Sequence, residues 1–209
     1  RDSSTSRGLG DVYKRQEYAP LGHTEFSSII NKIKAAKPEC IYSTVVGGSN
    51  VAFYKQLRAA GLDGTRVVLL STVVSENEIE GIGKDNAAGY YACMGYFQSL
   101  RNPANEKFVK AFKAKYGQDR VIGDPMEVAY NSVYLWKLGA EKAGSFDPDK
   151  VIAASAGLTL EAPEGTVRVH EKNHHVWKKV RVGRARPDGQ FDVVWESADL
   201  IEPNPFPKL

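Results

Sequence analysis

Two short apolar runs, Cys40-Ile41-Tyr42-Ser43-Thr44-Val45-Val46 and Val67-Val68-Leu69-Leu70, flank one helix-length segment that carries Phe53, Leu57 and Ala60 on one side. Gly47-Gly48-Ser49-Asn50 opens that segment and Gly61 closes it as a helix-terminating glycine. Before the first run, Phe26, Ile29, Ile30 and Ile33 recur at helical spacing, with Thr24 placed to cap the helix and Lys37-Pro38 to end it. A further apolar stretch covers residues 89–97. Alternation of short apolar strands with amphipathic helices demands a parallel sheet flanked by helices. The runs are continuous rather than alternating, which predicts strands buried on both faces. The fold class is therefore α/β.

The second half reads differently. Asn102-Pro103 starts a helix with Phe108, Val109, Phe112 and Tyr116 on one face, and Gly117 stops it. Asp124-Pro125-Met126-Glu127 has the form of a capping box, with Asp124 as cap and Glu127 three residues later, ahead of a helix to about Ala143. Asp147-Pro148 repeats the cap for a shorter helix ending near Gly157. These helices follow each other without a strand, so they need a sheet that the chain does not obviously supply. From Val167 the apolar period becomes two, through Val176, Val180 and Val182 and then Phe191, Val193 and Trp195, with Pro187-Asp188-Gly189 as a turn. An antiparallel hairpin or small meander is expected there.

Composition excludes several functions. The net charge of +3 comes from 28 basic and 25 acidic residues spread along the chain, without the basic stripe that a nucleic-acid backbone requires. No apolar run approaches the roughly 20 residues of a membrane helix. No phosphate-binding glycine motif, nucleophile elbow, zinc-protease motif or paired-cysteine motif occurs, so no nucleotide, cofactor, metal or catalytic centre is indicated. Cys40 and Cys93 lie in apolar stretches and read as buried small hydrophobes, with a disulfide between them left open. His174-His175 reads as a surface pair. Residues 1–16 are rich in Ser, Arg and Gly, lack the apolar core of a signal peptide, and resemble a translated library adapter. This leader suggests that a natural N-terminal portion has been cut away.

Ligands of open α/β sheets bind where a parallel strand ends and its loop meets a helix. Two such loops exist. The first contributes Thr44, Val45, Gly47 and Gly48, whose glycines permit close backbone approach; the second contributes Ser71 and Thr72, whose hydroxyls suit a neutral hydrogen-bonding ligand. Glu76 and Glu78 read as complements to a helix dipole, and Asp124 with Glu127 as a cap rather than a catalytic pair.

The segments STVVGGSNVAFYKQLRAAG (43–61), DPMEVAY (124–130), APEGTVRV (162–169), DGQFDVVW (188–195) and EPNPFP (202–207) together resemble the urea-binding component of ABC transporters, within the branched-chain amino acid and amide group of type I solute-binding proteins. The resemblance covers residues 17–209. It implies two α/β lobes that close on a ligand, export to the periplasm or a lipoprotein anchor outside the cytoplasm, and delivery to a membrane permease. It places residues 17–95 in the C-terminal lobe, the helices of 96–157 on an incomplete N-terminal lobe, and residues 158–209 in a return to the C-terminal lobe. Related amino-acid binders carry a glutamate at the second loop to meet an ammonium; Thr72 stands there, which favours urea or a short amide. Most ligand-gripping residues of such proteins lie in the N-terminal lobe, so this piece alone is expected to bind poorly. The competing expectations are a branched-chain amino acid binder, a cytoplasmic amide sensor of the same fold and, more distantly, an α/β hydrolase.

Overall fold

The computed structural model describes residues 15–206, so nearly all of the adapter-like leader lies outside the described residues. Helix α1 (Ser27–Ala36) leads to β1 (Cys40–Ser43), α2 (Ser49–Ala59), β2 (Val68–Ser71), α3 (Glu76–Ile82), α4 (Lys84–Ala87) and β3 (Tyr91–Met94). The next layer is α5 (Pro103–Tyr116), α6 (Asp124–Ala143) and α7 (Pro148–Ser155). Five strands finish the chain: β4 (Thr159–Ala162), β5 (Gly165–Val169), β6 (Val176–Trp177), β7 (Arg181–Ala185) and β8 (Phe191–Glu196).

The main sheet has the order β1-β2-β3-β7-β8. Its first three strands are parallel, as the alternation requires, and β7 and β8 add antiparallel to β3, which makes the sheet mixed. The expected hairpin is β7–β8. The preceding β4-β5-β6 sheet is separate and antiparallel; the period of two at Val167 and Val176 falls in β5 and β6, and β4 was not anticipated. It packs beside α5 and α6 rather than on the main sheet.

One core fills the sheet half. Phe26, Ile30, Phe53, Tyr54, Leu57, Leu69, Ile79, Ile82, Phe97 and Phe191 are all buried together. Burial on both strand faces is not what the structure shows. Ile41, Ser43, Leu69 and Ser71 alternate with Cys40, Tyr42, Val68 and Leu70, and the second set faces outward, leaving Tyr42 59% exposed. The helices cover the first face, and the apolar runs supply a second face that stays open.

Cys40 and Cys93 are free thiols, the first exposed and the second half-buried, which corrects the expectation that both are interior. Cys40 sits on the outward face of an edge strand. β2 separates β1 from β3, a gap of two strand spacings or roughly 10 Å, beyond the span of a disulfide.

The caps divide in the same manner. Asn102 accepts from the Asn105 N–H at 2.8 Å and Asp147 from the Lys150 N–H at 3.1 Å, as their spacing predicts. Thr24 is not the cap of α1. Phe26 occupies that position, buried, while Gln56 of α2 accepts from the Phe26 N–H and donates to the Thr24 carbonyl. The entry to α1 is thus held by tertiary contact instead of a local cap.

Candidate functional site

Parallel register brings the two loops together. Ser43 pairs with Ser71, so residues 44–48 and Thr72 leave adjacent strands at the same edge of the sheet. The two exits are built alike: the Ser43 hydroxyl accepts from the Val45 N–H at 3.4 Å and the Ser71 hydroxyl from the Val73 N–H at 3.2 Å. Each serine is buried and bends its strand into the loop. Ser71 is 0% exposed, so its contribution is the shape of the turn, while Thr72 beside it is half-buried.

The first loop is held from below. Asn50 donates to the Val45 carbonyl at 2.6 Å, which fixes the loop over the start of α2. The Asn50 side-chain oxygen and the Ser49 hydroxyl are buried without a partner. Gly47 adopts φ of +61°, a left-handed conformation that disfavours side chains. A Cβ placed on Gly47 or Gly48 would meet nothing within 4 Å, so the backbone faces open space. Thr44 and both glycines are exposed, and Val45 is half-buried.

Carboxylates near the loops are committed elsewhere. Glu78 completes a capping box with Ser75, accepting from its N–H at 2.8 Å and from its hydroxyl at 2.6 Å. Glu76 is buried and accepts from the Gln98 N–H at 2.7 Å, which ties the start of α3 to the chain leaving β3. Burial, reinforced by the charges of Asp124 and Glu78, pushes its carboxyl up to about 8. Its role goes beyond complementing a helix dipole.

Asp124 and Glu127 correct the capping-box reading more sharply. Gly123, not Asp124, is the cap of α6, and no side chain caps that end. Asp124 accepts instead from the N–H groups of Gly95 and Tyr96, at 2.9 and 2.8 Å. Glu127 accepts from the Glu164 N–H at 3.0 Å. Both serve long-range contacts at the passage between the sheet half and the helical half. The spacing mimics a local cap, so sequence alone had no signal for this. A polar groove lined by Leu100, Arg101, Glu164, Arg181, Glu196 and Asp199 also belongs to this passage and not to the two loops. His174 and His175 lie exposed in the turn before β6.

Among the described residues no group of three or more His, Cys, Asp or Glu is arranged to hold a metal ion, and no helix is long and apolar enough to cross a membrane.

A mixed sheet whose parallel strands end in two adjacent loops has the architecture of a type I periplasmic binding protein. The chain belongs to that family: the periplasmic binding protein domain matches residues 2–209. A protein named limonene hydroxylase from Geobacillus stearothermophilus is 39% identical over 60% of this chain and 23% of its own length. The leucine-, isoleucine-, valine-, threonine- and alanine-binding protein of Pseudomonas aeruginosa is 32% identical over 72% of this chain and 39% of its own. An amino-acid ABC transporter substrate-binding protein of Pseudomonas fluorescens has the same fold, with a TM-score of 0.77 at 23% identity over 90% of this chain and 51% of that one. A Rhodopseudomonas palustris solute-binding protein in complex with 4-hydroxybenzoate gives 0.76 at 25% identity over 88% of this chain and 52% of that one. The chain thus spans about half the length of these solved relatives.

Proposed function

We propose that this chain is part of the solute-binding component of an ABC importer working outside the cytoplasm, and that Thr44, Val45, Gly47, Gly48, Ser71 and Thr72 form its share of the ligand site. In this reading residues 17–95 and the β7–β8 hairpin make one lobe, residues 96–157 belong to the other, and the loaded protein docks on a membrane permease. Binding acts by hinge closure, in which ligand contacts favour the closed arrangement. The part is a binder and not a catalyst.

Urea or a short amide is the ligand we infer. The observation that carries it is the fate of the carboxylates: Glu78 is engaged in a cap and Glu76 is fully buried with one oxygen on the Gln98 amide, which leaves the two loops with hydroxyls and backbone groups but no exposed carboxylate to meet an ammonium. A neutral donor and acceptor such as an amide suits that lining. A branched-chain amino acid is the second reading, favoured by the 32% identity to a protein that binds such residues.

The test is the melting-temperature shift of the complete protein encoding this chain, measured with urea, acetamide, formamide and leucine. A saturating ligand at one hundred times its Kd raises stability by about 2.7 kcal/mol. Stabilisation by urea or an amide supports the proposal; stabilisation by leucine alone replaces it with the second reading.

A further inference from the structure

Three stretches of chain join the sheet half to the helical half: residues 95–102 between β3 and α5, residues 178–180 between β6 and β7, and the tail after β8, where Ile201 pairs with Lys178. Polar side chains clasp them. Asp124 takes the Gly95 and Tyr96 amides of the first stretch. Arg181 of β7 donates to the carbonyl of Gly95, to the carbonyl of Glu164 at 2.9 Å and to Glu196 at 2.6 Å. Glu127 receives the Glu164 amide from the β4–β5 turn and the Asn131 side-chain nitrogen at 2.7 Å. That same nitrogen reaches the Glu164 carboxylate at 3.2 Å, so one donor bridges two buried acids.

The cations do not balance this set. Lys178 lies 3.3 Å from Glu164, and Arg181 is occupied by Glu196 and the two carbonyls. Asp124 is satisfied by two amides. Glu127 has no cation in contact, is 0% exposed, and its second oxygen has no hydrogen-bond partner; the Asn131 carbonyl oxygen is also buried and unpaired. A buried, uncompensated carboxylate next to another is costly, and a single proton relieves both problems.

We propose that Glu127 is a positioning residue whose protonated carboxyl, joined to Glu164 through the Glu164 amide and the bridging Asn131 nitrogen, holds the β4–β5 turn and the neighbouring crossovers against α6, and that loss of this proton loosens the clasp. The inference rests on the fold and stands whichever ligand the loops bind. Burial first, and then the charge of Glu164, push the Glu127 carboxyl up to about 8; burial also raises Glu164. The groups facing the pair are Asp124 and Tyr130 of α6, Tyr96 of the first crossover, Lys178 of the second and Arg181 of β7. In the unfolded chain Glu127 ionises near its ordinary value, so the folded form holds the extra proton between that value and about 8. The contribution of Glu127 to stability is therefore full at acid pH, falls as pH rises through this window, and levels off above it.

The test compares the full chain with Glu127→Gln, which keeps the acceptor for the Glu164 amide but cannot ionise. Thermal unfolding from pH 5 to 9 should show a pH slope smaller by about one proton in the variant. Amide exchange at Glu164, compared between the two proteins at each pH, should become about tenfold faster in the wild type above pH 8, the equivalent of one pKa unit of coupling. A variant with the wild-type slope and the wild-type exchange overturns the proposal, because a purely structural role lowers stability equally at every pH. Should Glu127→Gln fail to fold, carbon-13 titration of the Glu127 carboxyl in the wild-type chain decides. A midpoint near 8 supports the proposal, and one in the ordinary carboxylate range near 4.3 overturns it.

Discussion

In the sheet half, Phe26, Phe53, Leu57, Leu69, Ile79 and Phe191 close into one core, whereas among the described residues of the helical half the buried apolar cluster is limited to Tyr96, Phe108 and Ile122. Helix α6 carries its apolar residues outward: Val133 is 64% exposed and Trp136, stacked on Phe146, is 50% exposed. The sheet half buries its side chains against its own helices. Among the described residues the helical half has helices and a small sheet but no central sheet under α6. The contrast shows that apolar periodicity says which face of a helix wants cover, not whether the same chain supplies it.

The contrast can be broken by substitution. Leu69→Ala should cost about 2–5 kcal/mol in urea unfolding, since the site lies at the centre of a closed core. Ser75→Ala, which removes the capping box that follows the second loop, should cost about 1 kcal/mol. Val133→Ala should stay within about 0.5 kcal/mol, because little is lost where little is buried. A Val133 cost approaching that of Leu69 would mean that the α6 face is covered in solution, and dye binding to exposed apolar surface would then be absent. The smallest effect is chemical: a maleimide should label Cys40 on the edge strand before Cys93, and equal rates would contradict the placement of the open sheet face.

Much of this architecture is legible in the sequence. The β1-α2-β2 alternation, the Asn102 and Asp147 caps and the β7–β8 hairpin follow from local chemistry, and local chemistry is what a sequence displays. The losses share one cause. Thr24 and Asp124 stand where caps belong, yet Gln56 holds the entry to α1 and Asp124 binds amides at Gly95 and Tyr96. Tertiary partners some 30 residues distant outcompete the neighbouring amides, and nothing in the spacing reveals them. β4 was missed because Thr159–Ala162 is short and pairs only with β5 in its own small sheet. At the candidate site the loops were legible from their glycines and position, but Ser71 turned out to shape the turn from within. Glu76, Asp124 and Glu127 gained their long-range roles only when the two halves were brought together.

These buried acids also separate the halves by pH. Burial pushes the Glu76 and Glu127 carboxyls up to about 8 where the halves meet, so raising pH from the ordinary carboxylate range to about 8 should weaken the junction before it affects the sheet core. Amide exchange measured across that range should open residues 95–98 and Glu164 while Leu69 stays protected.

The most direct test of the central claim is an exchange footprint of the complete protein with and without acetamide. The account expects slowed exchange at Thr44, Val45, Gly47, Gly48 and Thr72, the loops at the ends of β1 and β2. Protection confined to other surfaces, or seen with leucine and absent with acetamide and urea, would contradict it.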